Sequence, residues 1–320
     1  MERHDGRQSG SALRTPVLLL VFNRPESTER VFEAIRRAGP ERLYVAADGP
    51  RSPALDGARC AEVRELVSAV DWPCEVSTLF RDDNLGCRRA VSSALDWFFE
   101  LESEGIVLED DCLPTWSFFP FAAAMLDRHR LDDRVSCVSG DRFHPPSFRP
   151  VSSYSFSRHA HIWGWASWRR AWTRCDHNLN AWPALRESGW LGEVSNGLPG
   201  FEYHWTSVFD RVRSGEIDSW AYPWLFTGWV HGSLTVLPSV NLVENIGFGP
   251  SATHTTGEGL HPPAETLPQP YRHPEAVVPD DHADRWAMEH VFNVRPAHRT
   301  ALRALRARMR SAARFVGGAS

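Results

Sequence analysis

Short, wholly apolar runs alternate with amphipathic helical patterns through the first 140 residues, and this alternation constrains the fold more than any other feature. Pro16 to Phe22 reads as a fully apolar strand, and Glu26 to Arg37 as a helix with Val31, Phe32 and Ile35 on one face. Arg42–Ala47, Glu75–Phe80, 105–108 and 135–138 read as further strands. Helices are expected between them at 61–70, 87–101 and 118–129. A strand apolar at every position must be covered on both faces, so the pattern predicts a mostly parallel α/β sheet flanked by helices. In such sheets ligands bind beyond the carboxyl ends of the strands. The polar residues gather at those ends: Asn23 and Arg24, Asp48, Arg81 to Asn84, and Glu109-Asp110-Asp111. No G-x-G-x-x-G follows the first strand and no G-x-x-x-x-G-K-[ST] occurs, which argues against dinucleotide and P-loop chemistry.

After about residue 150 the alternation breaks down. Ten of the fourteen tryptophans lie between Trp163 and Trp229. Helices are expected near 163–174, 201–213 and 220–230, and a strand at 233–237. Most of these tryptophans should fill a core, while Trp163, Trp165 and Trp220, near Gly164 and polar residues, are candidates to line a groove. Residues 257–283, rich in Pro, His and acids, read as loop or linker. The expected organisation is therefore a disordered leader at 1–14, an α/β half at 15–150, a Trp-rich half of the same domain at 151–256, and a linker with a basic terminal helix at 257–320.

Net charge of -5 gives no basic field for nucleic acid. Six cysteines without a C-x-x-C pair disfavour a zinc site and read as reduced packing residues. The polar first fifteen residues contain no apolar signal segment, and the apolar run at 17–22 is too short to span a bilayer, so the chain is placed in the cytoplasm. Arg295 to Phe315 carries seven arginines and no acid, with Leu302, Leu305 and Met309 at helical spacing. Such a segment either lies on an anionic membrane surface, giving a membrane-peripheral protein, or is a solvated terminal helix.

Three adjacent carboxylates at a strand end repel one another, and a divalent cation removes that cost. Mg²⁺ and Mn²⁺ take oxygen ligands and bridge carboxylates to substrate phosphates. An exposed acidic turn capping the next helix is the other reading of the same residues.

The segment from Val107 through Glu109-Asp110-Asp111 to Phe119 resembles the acidic motif of GT-A fold glycosyltransferases. It is most similar to the N-acetylglucosaminyltransferase I type and to bacterial family-2-like sugar transferases often labelled hemolytic-protein-like. Pro16–Arg24, Ala47-Asp48-Gly49, Arg81–Gly86 and Ser139-Gly140-Asp141 resemble the strand ends of that family in the same order. Trp163–Trp168 and Asn241–His254 resemble acceptor-side signatures of the bacterial group. The resemblance spans roughly residues 16–256 and implies a Rossmann-like GT-A enzyme. Such an enzyme moves a sugar, hexosyl or N-acetylhexosaminyl, from a UDP-sugar to an acceptor hydroxyl with Mn²⁺ or Mg²⁺, by an inverting mechanism. The acceptor could be a glycan, a lipid-linked glycan or a small molecule.

By the same resemblance Asp111 binds the metal directly, Asp110 contacts the donor ribose or a metal-bound water, and Glu109 supports the site. Asp48, Arg24 and Asn23 meet the nucleotide, Arg81 and Asn84 line its pocket, and His254 is a second ligand to the metal or diphosphate. The base position falls in Asp218-Ser-Trp-Ala-Tyr-Pro-Trp224, where related sequences carry a second acid and a Gln at the places of Ala221 and Pro223. Asp218 is the first candidate for the base, with Glu202 and Asp141 as alternatives. A sugar-phosphate nucleotidyltransferase, and an inactive protein that keeps the fold and binds a glycan or nucleotide, are the competing functions.

Overall fold

Every residue of β1 (Val17–Val21) is buried, as a strand covered on both faces requires. In the computed structural model, which describes residues 12–247 and 262–296, this strand lies inside an eight-stranded sheet. In chain order the elements of the first part are α1 (Pro25–Ala38), β2 (Arg42–Ala47), α2 (Ala58–Ser68), β3 (Glu75–Phe80), α3 (Cys87–Leu101), β4 (Glu104–Glu109), β5 (Cys112–Pro114), α4 (Phe118–His129) and β6 (Val135–Ser139). The second part adds β7 (Tyr154–Ser157), β8 (Trp165–Trp168), α5 (Arg169–Trp172), α6 (Trp182–Glu187), α7 (Trp190–Val194), α8 (Phe201–Arg213), α9 (Ala221–Val230), β9 (Leu234–Pro238), β10 (Val243–Asn245) and α10 (Asp281–His290).

The sheet runs β3-β2-β1-β4-β8-β6-β9-β7. Neighbours from β3 to β4 are parallel, as are β6 and β9, whereas β8 and β7 run antiparallel to their neighbours. The α/β class and mostly parallel sheet expected from the sequence are therefore present, and the four parallel strands share one carboxyl edge.

The side-chain alternation of β1 divides the core. Val17, Leu19 and Val21 face α1, α2 and α4, where Val31, Phe32 and Ile35 pack as the periodicity predicts. Leu18 and Leu20 face α3 and a group of tryptophans, Trp165, Trp172, Trp220 and Trp224. A third cluster joins α6 to α9 around Trp182, Trp205, Phe209 and Trp229. Most of the expected core tryptophans are thus structural, each large buried ring contributing several kcal/mol, ~3–5 by the cost of truncation. All six cysteines are free.

The helix expected near 163–174 is corrected. Trp165–Trp168 is a strand inserted antiparallel between β4 and β6, and only Arg169–Trp172 is helical. Gly164, at φ +64°, makes the turn into it, and pairing on both edges outweighs the local helical pattern. Residues 262–280 hold no helix or full strand, but Leu267 is buried in the core and Asn241 Nδ2 donates to the Pro262 carbonyl. The linker reading also missed α10, capped by Asp280, whose carboxylate accepts from the Ala283 amide. No helix among the described residues is long and apolar enough to cross a membrane. The basic segment from 297 onward, and His254, lie outside the described residues.

Candidate functional site

Four parallel strands end at one edge, and the chain turns there into loops that carry the polar side chains. They enclose a cleft of about 490 Å³ lined by Arg24, Asp48, Arg51, Arg81, Asn84, Glu109, Asp110, Asp111, Trp163, Asp218 and Trp220 among others. A second cavity of about 680 Å³ adjoins it, sharing Arg24, Arg51 and Gly247 and adding Asn23, Arg30 and Arg59.

The acidic triplet occupies the tip of β4. Asp110 Oδ2 accepts from the Phe22 amide at the end of β1 (3.1 Å). Its other oxygen lies 3.1 Å from Arg24 Nη1, and Asp111 Oδ2 lies 2.7 Å from the same nitrogen. Burial, then the charges of Asp111 and Asp110, push Glu109 up to about 8, against Arg24 and a hydrogen bond with Trp220. Burial and Asp111 likewise raise Asp110 to about 6, against Arg24 and the Phe22 amide. Among the described residues Arg24 is the guanidinium bonded to the triplet, and it does not offset burial and mutual repulsion there. The small sheet of β5 and β10 brings the following chain back over it, and the Ile246 amide donates to the Asp111 carbonyl at 2.8 Å.

Among the described residues no three His, Cys, Asp or Glu side chains form a closed metal cage. The donor set still suits Mg²⁺ or Mn²⁺. Two carboxylate oxygens already converge on one cationic atom, and these ions commonly take one or two carboxylates with substrate phosphates completing the shell.

Asp48 closes the β2 end. Its carboxylate accepts from the Gly49 amide (3.0 Å), the Leu85 amide (3.0 Å) and Asn84 Nδ2 (2.9 Å). Burial raises its pKa against those amide bonds. Asn84 also donates to the Gly49 carbonyl at 2.8 Å, so the loops after β2 and β3 are laced together. Arg81 Nη2 donates to Ser93 Oγ on α3 (2.8 Å).

Asp218, in the turn before α9, reaches the start of α3, where Oδ1 accepts from the Arg88 amide at 3.1 Å. Gly86, at φ +78°, leaves room for it, since a Cβ there would stand 2.8 Å from Asp218 Oδ2. Cys87 also lines the cleft, its thiol pushed up to about 12 by burial, Glu109 and Asp218. The other two base candidates do not line the cleft. Asp141 is buried, bonded to Ser139 Oγ and pushed up to about 7 by burial, whereas Glu202 is exposed on α8 beside Gly192. Of the groove tryptophans, Trp163 and Trp220 line the cleft. Trp165 lies beneath Trp220, stacked with it at 5.5 Å, and is only 1% exposed.

Asp56 went unnoticed in the sequence. It lies in a π-helical turn, Pro53–Gly57, and is 3% exposed. Its carboxylate accepts from Asn23 Nδ2, Arg51 Nε and Arg51 Nη2, each at 2.7 Å. Those bonds, led by Arg51, lower it to about 2 and fix two cavity-lining side chains. The only signal in the sequence was the cap pattern Ser52-Pro-x-x-Asp56, which has no periodicity to draw attention to it.

No protein-family model matches the sequence, and no curated protein matches it. Among solved structures, a mannosyltransferase from Pyrobaculum calidifontis in complex with GDP-Man and Mn²⁺ overlaps at TM-score 0.36 and 16% identity, over 51% of this chain and 47% of that one. The chain thus spans about half the length of that enzyme. HddC from Yersinia pseudotuberculosis overlaps at TM-score 0.30 and 12% identity, over 49% and 77% of the two chains. An apo UDP-glucose pyrophosphorylase overlaps at 0.35 and 7% identity, over 72% and 93%. Overlaps this distant assign no activity to the chain.

Proposed function

We propose that the protein is a metal-dependent glycosyltransferase that uses a nucleotide-diphosphate sugar, UDP-linked by resemblance, and transfers the sugar to an acceptor hydroxyl with inversion. One observation carries this reading. Asp110 and Asp111 each aim an oxygen at a single point, inside the cleft that Asp48, Arg81 and Asn84 also line.

Asp111 and Asp110 would hold Mn²⁺ or Mg²⁺, which supplies neutralising charge to the departing diphosphate. Asp48, fixed by two amides and Asn84, presents an acceptor edge to the nucleoside, and Arg81 adds a donor beside it. Arg24, and Arg51 held in place through its Nε and Nη2 by Asp56, would bring positive charge to phosphate oxygens. Asp218, which lines the same cleft as Glu109, would take the acceptor proton. Trp163 and Trp220 would stack on sugar faces. His254 would add a ligand from beyond β10. Positioning and charge stabilisation then do most of the work, because the donor is already activated.

A nucleotidyltransferase is disfavoured because the turn after β1, Asn23-Arg-Pro-Glu26, lacks the Gly-rich, Lys-containing loop such chemistry uses. The inactive binding protein is favoured only by Ala221 and Pro223 near Asp218. Hydrolysis of UDP-sugars, measured with and without Mn²⁺, separates these readings. The proposal expects metal-dependent release of UDP that Asp111→Ala abolishes. Binding of glycans without metal and without turnover would overturn it.

A further inference from the structure

We propose that Arg24 is an internal counter-cation that holds the metal position closed until a nucleoside diphosphate draws it away. The inference rests on the reading of the cleft as a nucleotide-sugar site and specifies how that site is loaded.

The geometry is specific. Arg24 Nη1 lies 2.7 Å from Asp111 Oδ2 and 3.1 Å from Asp110 Oδ1. Its side chain is 22% exposed, and those of Asp110 and Asp111 are 8% and 15% exposed. The three groups are thus largely withdrawn from water, where an unpaired carboxylate costs far more than a paired one. Burial lowers the Arg24 pKa, but the charges of and bonds to Asp110 and Asp111 more than offset it, so the guanidinium stays charged there.

A divalent ion held by Asp110 and Asp111 would compete for the carboxylate oxygens that Arg24 Nη1 now approaches. The ion and the guanidinium exclude each other by volume and by like charge, so metal entry requires Arg24 to turn out. It has somewhere to go. Arg24 lines both the donor cleft and the adjoining cavity that holds Arg30, Arg51 and Arg59. The phosphate oxygens of a nucleotide offer Arg24 new acceptors and offer the ion new ligands at the same moment.

Metal and nucleotide should therefore bind together, each raising the affinity of the other by the same factor. Metal alone should bind less tightly, because it must break the Arg24 bonds to Asp110 and Asp111 without phosphate oxygens to offset their loss.

The test is titration of the full-length protein with Mn²⁺, following free Mn²⁺ by electron paramagnetic resonance, alone and with saturating UDP. For the wild-type chain the expectation is at least tenfold tighter Mn²⁺ binding when UDP is present. Arg24→Gln, checked for fold by circular dichroism, should bind Mn²⁺ alone at least tenfold tighter than wild type and lose most of the UDP effect. Equal wild-type affinity with and without UDP overturns the proposal, and so does an Arg24→Gln variant that binds Mn²⁺ alone no better than wild type. Asp111→Asn distinguishes the two levels. If Asp111→Asn abolishes joint binding while Arg24→Gln fails to tighten metal binding, the loading mechanism falls and the site remains. If no Mn²⁺ binds with UDP in any variant, the reading of the cleft falls and takes the mechanism with it.

Discussion

Gly247 approaches Asp111 so closely that a Cβ at position 247 would stand 2.2 Å from Asp111 Oδ2 and 2.8 Å from its Cβ. The contact involves the root of the aspartate side chain as well as its tip, so rotation of the carboxylate alone cannot relieve it. Gly247→Ala should therefore push Asp111 off the point it shares with Asp110. The expected result is a loss of Mn²⁺ affinity of tenfold or more in the presence of UDP. Thermal unfolding should change little, because the clash lies at the cleft rim rather than in the core. Calorimetric titration and a melting curve check both halves.

Asp218 is the one base candidate that lines the cleft, so the three candidates should separate. Asp218→Asn is expected to lower kcat by ~10²–10⁴, the range for loss of a general base, with little effect on the KM for the donor. Glu202→Gln should stay near wild type because that side chain is on the surface. Asp141→Asn should act through stability, since its buried carboxylate accepts from Ser139 Oγ and from backbone amides at Asp141 and Trp163. Steady-state kinetics of the three variants beside their melting temperatures checks the order.

The strands and helices of the first 140 residues were legible because their signal is local. An apolar run of five or six residues and a helical stripe such as Val31, Phe32 and Ile35 need no knowledge of the rest of the chain. The carboxyl-edge rule then placed Asp48, Arg81, Asn84 and the triplet in one cleft. What was illegible depends on distant partners. Trp165–Trp168 is a strand because β4 and β6 pair with it on either side, at register Gly105↔Ser167 and Cys137↔Ser167. Asp56 matters because a turn carries it to Asn23, 33 residues away. Separating Trp165 from Trp163 and Trp220 required knowing which ring lay beneath the other.

That last distinction has a measurable consequence. Trp165→Ala removes a ring 1% exposed and packed on Trp172, Trp220 and Trp224, and should cost ~3–5 kcal/mol of stability. Trp163→Ala, at a cleft-lining position, should cost less stability and reduce turnover with acceptor more than donor binding. Chemical denaturation and donor-only hydrolysis against transfer distinguish the two.

His177 and Asp96 provide a pH test away from the cleft. His177 Nε2 lies 3.4 Å from Asp96, which also accepts from the Trp172 indole at 2.8 Å, tying α3 to the chain after α5. The Asp96 carboxylate beside Nε2, then the neighbouring Cys175 side chain, raises His177 to about 10. A histidine raised in the folded state contributes fully below its unfolded value of ~6.5, and the contribution is lost as pH rises through the folded value. The melting temperature should therefore fall between about pH 6.5 and 10, and fall less steeply in His177→Gln. Identical slopes would rule out the pair as a contributor.

The measurement that bears most directly on the whole account is an anomalous difference map from crystals soaked with Mn²⁺ and UDP. The account predicts one Mn²⁺ peak at coordination distance from Asp111, touching the UDP phosphates, with Arg24 turned away from Asp110 and Asp111 and the nucleoside against Asp48. A map with UDP elsewhere, or with the Arg24 bridge intact and no metal at the tip of β4, would contradict it.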